Sequence, residues 1–180
     1  AKTLAETGLP DGVLQVVPGP GGSVGDRLAT SPDVDMVAFT GSVEAGKHIM
    51  KVGSDTVKRV GLELGGKSPS IVFADADFEA AIDGALIGIF AGTGQVCSAG
   101  SRLLVERSIY DRFVGEFVSR AMAIKVGSGS DGESEMGSLV SKEQLDKVES
   151  YVRTGLDEGA KLATGGHRLN GTGFFFEPTI

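Results

Sequence analysis

The chain has 180 residues, a formal net charge of −7, 28 glycines, one cysteine and no tryptophan. An acidic balance without any basic block excludes nucleic acid and anionic membrane as partners, and a single cysteine excludes an internal disulfide and a multi-cysteine zinc site. No apolar run approaches the roughly 18–20 residues of a membrane span and no start resembles a signal peptide, so the expectation is a soluble, cytoplasmic protein.

Residues 1–7 read as the tail of a helix and residues 174–180 as an apolar, strand-like run, so both ends are expected to be cuts through a longer protein. Between them, residues 13–17 (Val-Leu-Gln-Val-Val) follow the turn signal Pro10-Asp-Gly12 and predict a first strand. Gly19, Gly21, Gly22 and Gly25 then lead into a short helix over 26–29. Residues 34–39 predict a second strand, and Ser42 caps a helix ending at Gly53. A third strand is expected over 57–64, stopped by Gly65 and Gly66. Strand–helix alternation of this kind is the signature of βαβ units and a parallel sheet.

The alternation continues past Pro69. Residues 70–73 predict a strand; Asp75 and Asp77 open an apolar helix from 78 to about 90, expected to be buried on most sides. After the cysteine bend come a strand at 103–106 and an amphipathic helix over 109–124, with Phe113, Phe117 and Met122 among its apolar positions. Residues 127–132 read as a loop. Ser141 caps a helix through Leu145, Val148 and Val152 that ends near Gly155 or Gly159, and the last strands are expected at 161–164 and 174–180.

Four stretches could carry chemistry. Gly19-x-Gly21-x-x-x-Gly25 lies between a strand and a helix, where backbone N–H groups could face an anion, yet its spacing is not the dinucleotide fingerprint. The run Thr40-Gly41-Ser42 opens a second helix with free N–H groups and a hydroxyl; it is either an ordinary cap or half of a phosphate site. Glu63 closes an apolar strand before Gly65-Gly66. It is either solvated or aimed at the cleft beyond the strand's C-terminal end, where partial burial would raise its pKa and make it a base. Cys97 sits on a bend with Gly92, Gly94 and Gly100 around it and Gln95, Ser98 and Ser101 close by. It is either an inert small hydrophobe or a nucleophile within reach of a small molecule. A histidine-activated thiol needs a neighbouring imidazole, whereas His48 and His167 both read as solvated side chains. No ligand cluster has metal spacing.

Phe39-Thr-Gly-Ser42, Leu62-Glu-Leu-Gly-Gly-Lys-Ser-Pro69 and Gly94-Gln-Val-Cys97, in that order, resemble the aldehyde dehydrogenase superfamily, as do Met136-Gly-Ser-Leu-Val140 and Gly173-Phe-Phe-Phe-Glu-Pro-Thr179. The resemblance runs from Leu9 to Ile180 and implies an α/β fold of parallel-sheet βαβ units. Residues 1–65 would be the second half of a Rossmann-like NAD(P)-binding domain and residues 66–180 the first part of a catalytic domain. It further implies that Cys97 is the nucleophile that attacks an aldehyde, and that Glu63 activates the water that hydrolyses the resulting thioester. Ser42, Gly41 and Gly46 match one cofactor turn, Gly21 and Gly25 match the other, and Leu64 with Gly65 lie toward the nicotinamide end. NAD or NADP would be the cofactor, a small-molecule aldehyde the substrate, and the longer protein a homodimer or homotetramer. Lys67 belongs to the motif with no role beyond packing or surface charge, and Ser138 stands where the family often has proline. Two other readings stay open: an inactive nucleotide-binding or structural fragment of such an enzyme, and a cofactor-independent cysteine esterase.

Overall fold

Short β-rich runs joined through a capped helix fold here into two βαβ units, each with its own parallel strand pair. The computed structural model describes Thr3 and residues 6–180, so the helix tail read at residues 1–7 falls largely outside the described residues. The chain divides into two compact units, Ala1–Gly65 and Gly66–Ile180.

In the first unit a π-helical turn, Gly21–Gly25, runs directly into α1, Asp26–Thr30. β1 (Met36–Gly41) and β2 (Arg59–Leu64) pair in parallel, from Met36↔Arg59 to Gly41↔Leu64. Parallel strands need a long crossover, and α2 (Val43–Gly53) supplies it. Ser42 caps α2 as the sequence predicts, its Oγ accepting from the Ala45 amide at 3.2 Å. Strand side chains alternate between faces. Leu62 and Leu64 lie under Gly46, and Val60 lies under Gly53, so this face of β2 meets α2. Glu63 and its register partner Thr40 therefore take the opposite face.

The expected strand at 13–17 does not form among the described residues. Val13, Val16 and Val17 are 65%, 70% and 62% exposed and no ladder partner reaches them, and strand backbone stays a strand only when its N–H and C=O groups are paired. The third strand starts at Arg59 rather than Val57, because Val57 adopts a left-handed conformation at φ 53°. One internal fixture was not foreseen. Lys58 is buried, and its ammonium donates to the carbonyls of Ser31 at 2.7 Å and Val34 at 2.8 Å. A buried cation is tolerable only with its donors engaged, and here they fasten the approach to β1.

In the second unit β3 (Pro69–Val72) pairs in parallel with β4 (Arg102–Val105), and α3 (Phe78–Phe90) crosses between them. Asp77 caps α3 through the Ala80 amide at 3.0 Å. Val72, Ile82 and Ala85 pack against Phe113 and Phe117 of α4 (Tyr110–Ala123). Phe113 is fully buried and meets Phe78 edge-on, with centroids 5.7 Å apart. Burying rings of this size contributes roughly 2–3 kcal/mol each. Arg120 of α4 ties the two helices at their rim by bonding Glu79, Asp83 and Glu116. α5 (Lys142–Asp157) is capped by Ser141 and packs Leu145 against Leu139 and Phe176.

Three expectations need correction here. α3 is not buried on most sides: Ile82 and Ala85 are, whereas Ile87 is 69% exposed, because a two-stranded sheet and one helix cover only part of its girth. Met122 likewise faces outward. Residues 161–164 and 174–180 form no strands. Ala163 and Ile180 exchange backbone bonds with each other's neighbourhood, and an isolated antiparallel bridge joins Arg168 to Phe176. Gly165, Gly166, Gly171 and Gly173 between the two runs all have positive φ, and the bonds of Ala163 and Thr164 with Ile180 are too few to make a ladder.

Candidate functional site

The register of the first unit gathers five of the predicted residues at one strand edge. Gly41 pairs with Leu64, so the C-terminal ends of β1 and β2 lie side by side, with Ser42 and Gly65 following directly. In open parallel sheets this is the edge at which ligands bind. Gly46 belongs to the same corner but is buried: a Cβ there would come within 2.8 Å of Leu64 Cδ2. Its contribution is to let the first turn of α2 settle onto the end of β2. The start of α2 leaves its first amides without helical acceptors, and Gly41 and Ser42 are exposed beside them. That combination of unpaired N–H groups, a hydroxyl and a helix N-terminus suits an anionic pyrophosphate.

Gly21 and Gly25 sit elsewhere in the same unit, as the ends of the π-helical turn before α1. Gly25 has ordinary helical dihedrals, and neither residue has a neighbour within 4 Å of where a Cβ would stand. Both are exposed. Near this turn His48 of α2 pairs with Asp26 of α1 at 2.6 Å. Both histidines are exposed, as the sequence reading has them, and each also has a carboxylate partner it did not foresee: His167 faces Glu177 at 3.2 Å. Asp26 and Glu177 lie 22 and 10 positions from their histidines, beyond what local pattern reveals.

Glu63 is exposed, on the face of β2 opposite α2. Of the two readings left open for it, the solvated one is what this unit shows: among the described residues α2 packs on the other face of the two strands. Lys67 is exposed too. Its ammonium reaches the Gly66 carbonyl at 3.1 Å, and its own carbonyl accepts from Arg102 Nε at 2.8 Å, which secures the entry to β3.

Cys97 is a free, exposed thiol. The chain leaving α3 makes a left-handed turn in which Gly92, Thr93 and Gly94 all have positive φ, at 58°, 60° and 69°. Thr93 is the unusual member, because a β-branched residue pays for that conformation. A second turn follows, Ala99 donating to the Val96 carbonyl at 3.1 Å, with Cys97 and Ser98 at its tip. Ala99 is buried and the Gly100 amide donates to the Gly88 carbonyl at 2.9 Å, so the base of the bend is anchored on α3. Among the described residues the Cys97 amide has no acceptor. Gln95 anchors the other side: its Oε1 accepts from the Val140 amide at 3.0 Å. Sequence alone placed Gln95 near the cysteine but gave no sign of this partner, 45 positions away. A cavity of about 200 Å³ lies beside the bend, its wall including Thr93, Gly94, Met136 and Phe176.

Among the described residues no helix is long and apolar enough to cross a membrane, and no group of His, Cys, Asp and Glu side chains could hold a metal ion.

Residues 1–180 match the model of the aldehyde dehydrogenase family. The chain is 55% identical over 99% of its length to a betaine aldehyde dehydrogenase of Bacillus subtilis, and 47% identical over 98% to human retinal dehydrogenase 2. It spans 37% and 34% of those two proteins, about a third of each. Among solved structures it superposes on an aldehyde dehydrogenase of Bacillus cereus in complex with NAD+ with a TM-score of 0.97, at 47% identity, covering 99% of this chain and 36% of that one. A betaine aldehyde dehydrogenase of Staphylococcus aureus, also in complex with NAD+, gives a TM-score of 0.95 at the same identity and coverage. The chain belongs to the aldehyde dehydrogenase family.

Proposed function

We propose that this chain contributes the nucleophile, the base and part of the dinucleotide site to the oxidation of an aldehyde to a carboxylate. The first unit is the second half of the cofactor domain and the second unit the first part of the catalytic domain. NAD+ is the favoured cofactor, because the structural relatives bound it, with NADP+ as the alternative. The exposed corner of Gly41, Ser42, Leu64 and Gly65 fits the pyrophosphate and the segment beyond it, and Gly21 with Gly25 line the other turn. When bound, this cofactor accepts a hydride.

Cys97 attacks the aldehyde carbon, and its unengaged amide donates to the oxygen that becomes negative, where a fixed dipole is worth most. Loss of hydride leaves the acyl group on sulfur as a thioester. Glu63 takes a proton from the water that hydrolyses it, freeing the carboxylate product and the thiol. The longer protein is read as a cytoplasmic homodimer or homotetramer. The observation that best supports the reading is the exposed, anchored bend that presents Cys97, in a chain matched to the family from end to end.

The test is pre-steady-state NADH formation by the protein that contains this chain, with aldehyde and NAD+. Cys97→Ala is expected to abolish it. Glu63→Gln is expected to keep the first turnover while slowing the steady state by roughly 100-fold or more, the usual contribution of a general base. Loss of the first turnover in Glu63→Gln, to the same degree as in Cys97→Ala, would overturn the division of roles.

A further inference from the structure

The cysteine bend is held at three points, and only one of them is a side chain reaching across the unit. Gly100 and Ala99 fix its base through backbone bonds and burial. Its leading side, residues 92–95, carries the unfavourable dihedrals of Thr93, and a strained turn persists only where its surroundings over-determine it. What surrounds it is the segment 136–140. A Cβ placed on Gly137 would stand 4.0 Å from Thr93 Oγ1, and Val140 donates its amide to Gln95 Oε1 at 3.0 Å. That segment is itself fixed on both sides: Gly127 donates to the Met136 carbonyl at 3.0 Å, and Leu139 donates to Phe174 at 2.9 Å and is buried against Leu145 and Phe176. The Val140 side chain is 78% exposed, so its contribution here is the backbone donor and not packing.

We infer that Gln95 is a positioning residue, whose carboxamide oxygen pins the Cys97 bend to the 136–140 segment and thereby sets where the thiol stands. The importance of that placement for chemistry rests on the function proposed above; the pin itself does not. The bond is made by an acceptor on a short side chain two residues before the cysteine, so releasing it frees the strained side of the bend and leaves the anchored base intact. Cys97, at the tip between them, then samples a wider range of directions.

Cys97 is the single cysteine of these 180 residues, so it can be labelled alone in the protein that contains this chain once any cysteine outside it is replaced by serine. A nitroxide attached to Cys97 reports the mobility of the bend, and amide exchange at Val140 reports the bond. Gln95→Met, similar in size but with no strong acceptor, is expected to sharpen the nitroxide spectrum and speed Val140 exchange by about fivefold, the worth of one neutral hydrogen bond. Gln95→Glu, which keeps an acceptor oxygen, is expected to restore both. Val140→Pro removes the same bond from the donor side. It should raise nitroxide mobility as Gln95→Met does, with no further increase in the double variant. Unchanged mobility in both single variants overturns the inference, as does faster Val140 exchange with an unmoved nitroxide. Aldehyde turnover plays no part in either readout, so a failure to form NADH would count against the proposed function and leave this result standing.

Discussion

At the residue scale two β-branched side chains, Val57 and Thr93, stand in the left-handed region, and Thr93 does so between two glycines that occupy it freely. Replacing Thr93 with glycine relieves a cost of about 1–2 kcal/mol against a smaller entropic loss, so Thr93→Gly is expected to raise the urea midpoint of the second unit. A lower midpoint would mean that the threonine side chain holds the turn by its contacts. The sequence marked this bend through its glycines and its cysteine, and it marked the Gly41-Ser42 corner through cap chemistry. It did not reveal Thr93's dihedral, Lys58's two carbonyl partners or the reach of Gln95 to Val140. Each depends on where distant backbone ends up, and composition carries no trace of that.

At the element scale, the regular helices among the described residues from Asp26 onward and the central strands were legible because their signals are local: Ser42, Asp77 and Ser141 each bond the amide three residues on, and apolar spacing sets the face. The failures at residues 13–17, 161–164 and 174–180 share a cause. An apolar β-rich run predicts a strand, but the strand exists only if a partner is in register, and that is a property of the pair. Ion pairs add a second element-scale effect. Arg168 bonds Asp146 and Glu149 of α5; its hydrogen bond holds the Glu149 carboxyl below its ordinary value, and Asp146 is held low first by Lys142 and then by Arg168. A carboxyl depressed on folding contributes stability that is present above its unfolded pKa and lost as pH falls through the folded one. The melting temperature of the second unit should therefore decline as pH drops from about 5 toward 3. Arg168→Met should show a shallower decline over that window. Equal slopes in the two proteins would show that the pair does not couple to folding.

At the scale of the whole molecule, the chain carries a family match over its full length yet covers about a third of each relative. The 180-residue polypeptide mixed alone with aldehyde and NAD+ is expected to yield no NADH, because it spans only about a third of the length of the enzymes it matches. Sustained turnover by this piece would show that its own residues suffice. The buried amine of Lys58 bears on the molecule as a whole in another way. Chelated by two carbonyls, it is shielded from acylating reagents that modify the exposed lysines at once, so its labelling by a mild acetylating ester should follow the rate at which the first unit opens. One mass increment on one peptide would then clock the breathing of that unit without any optical probe.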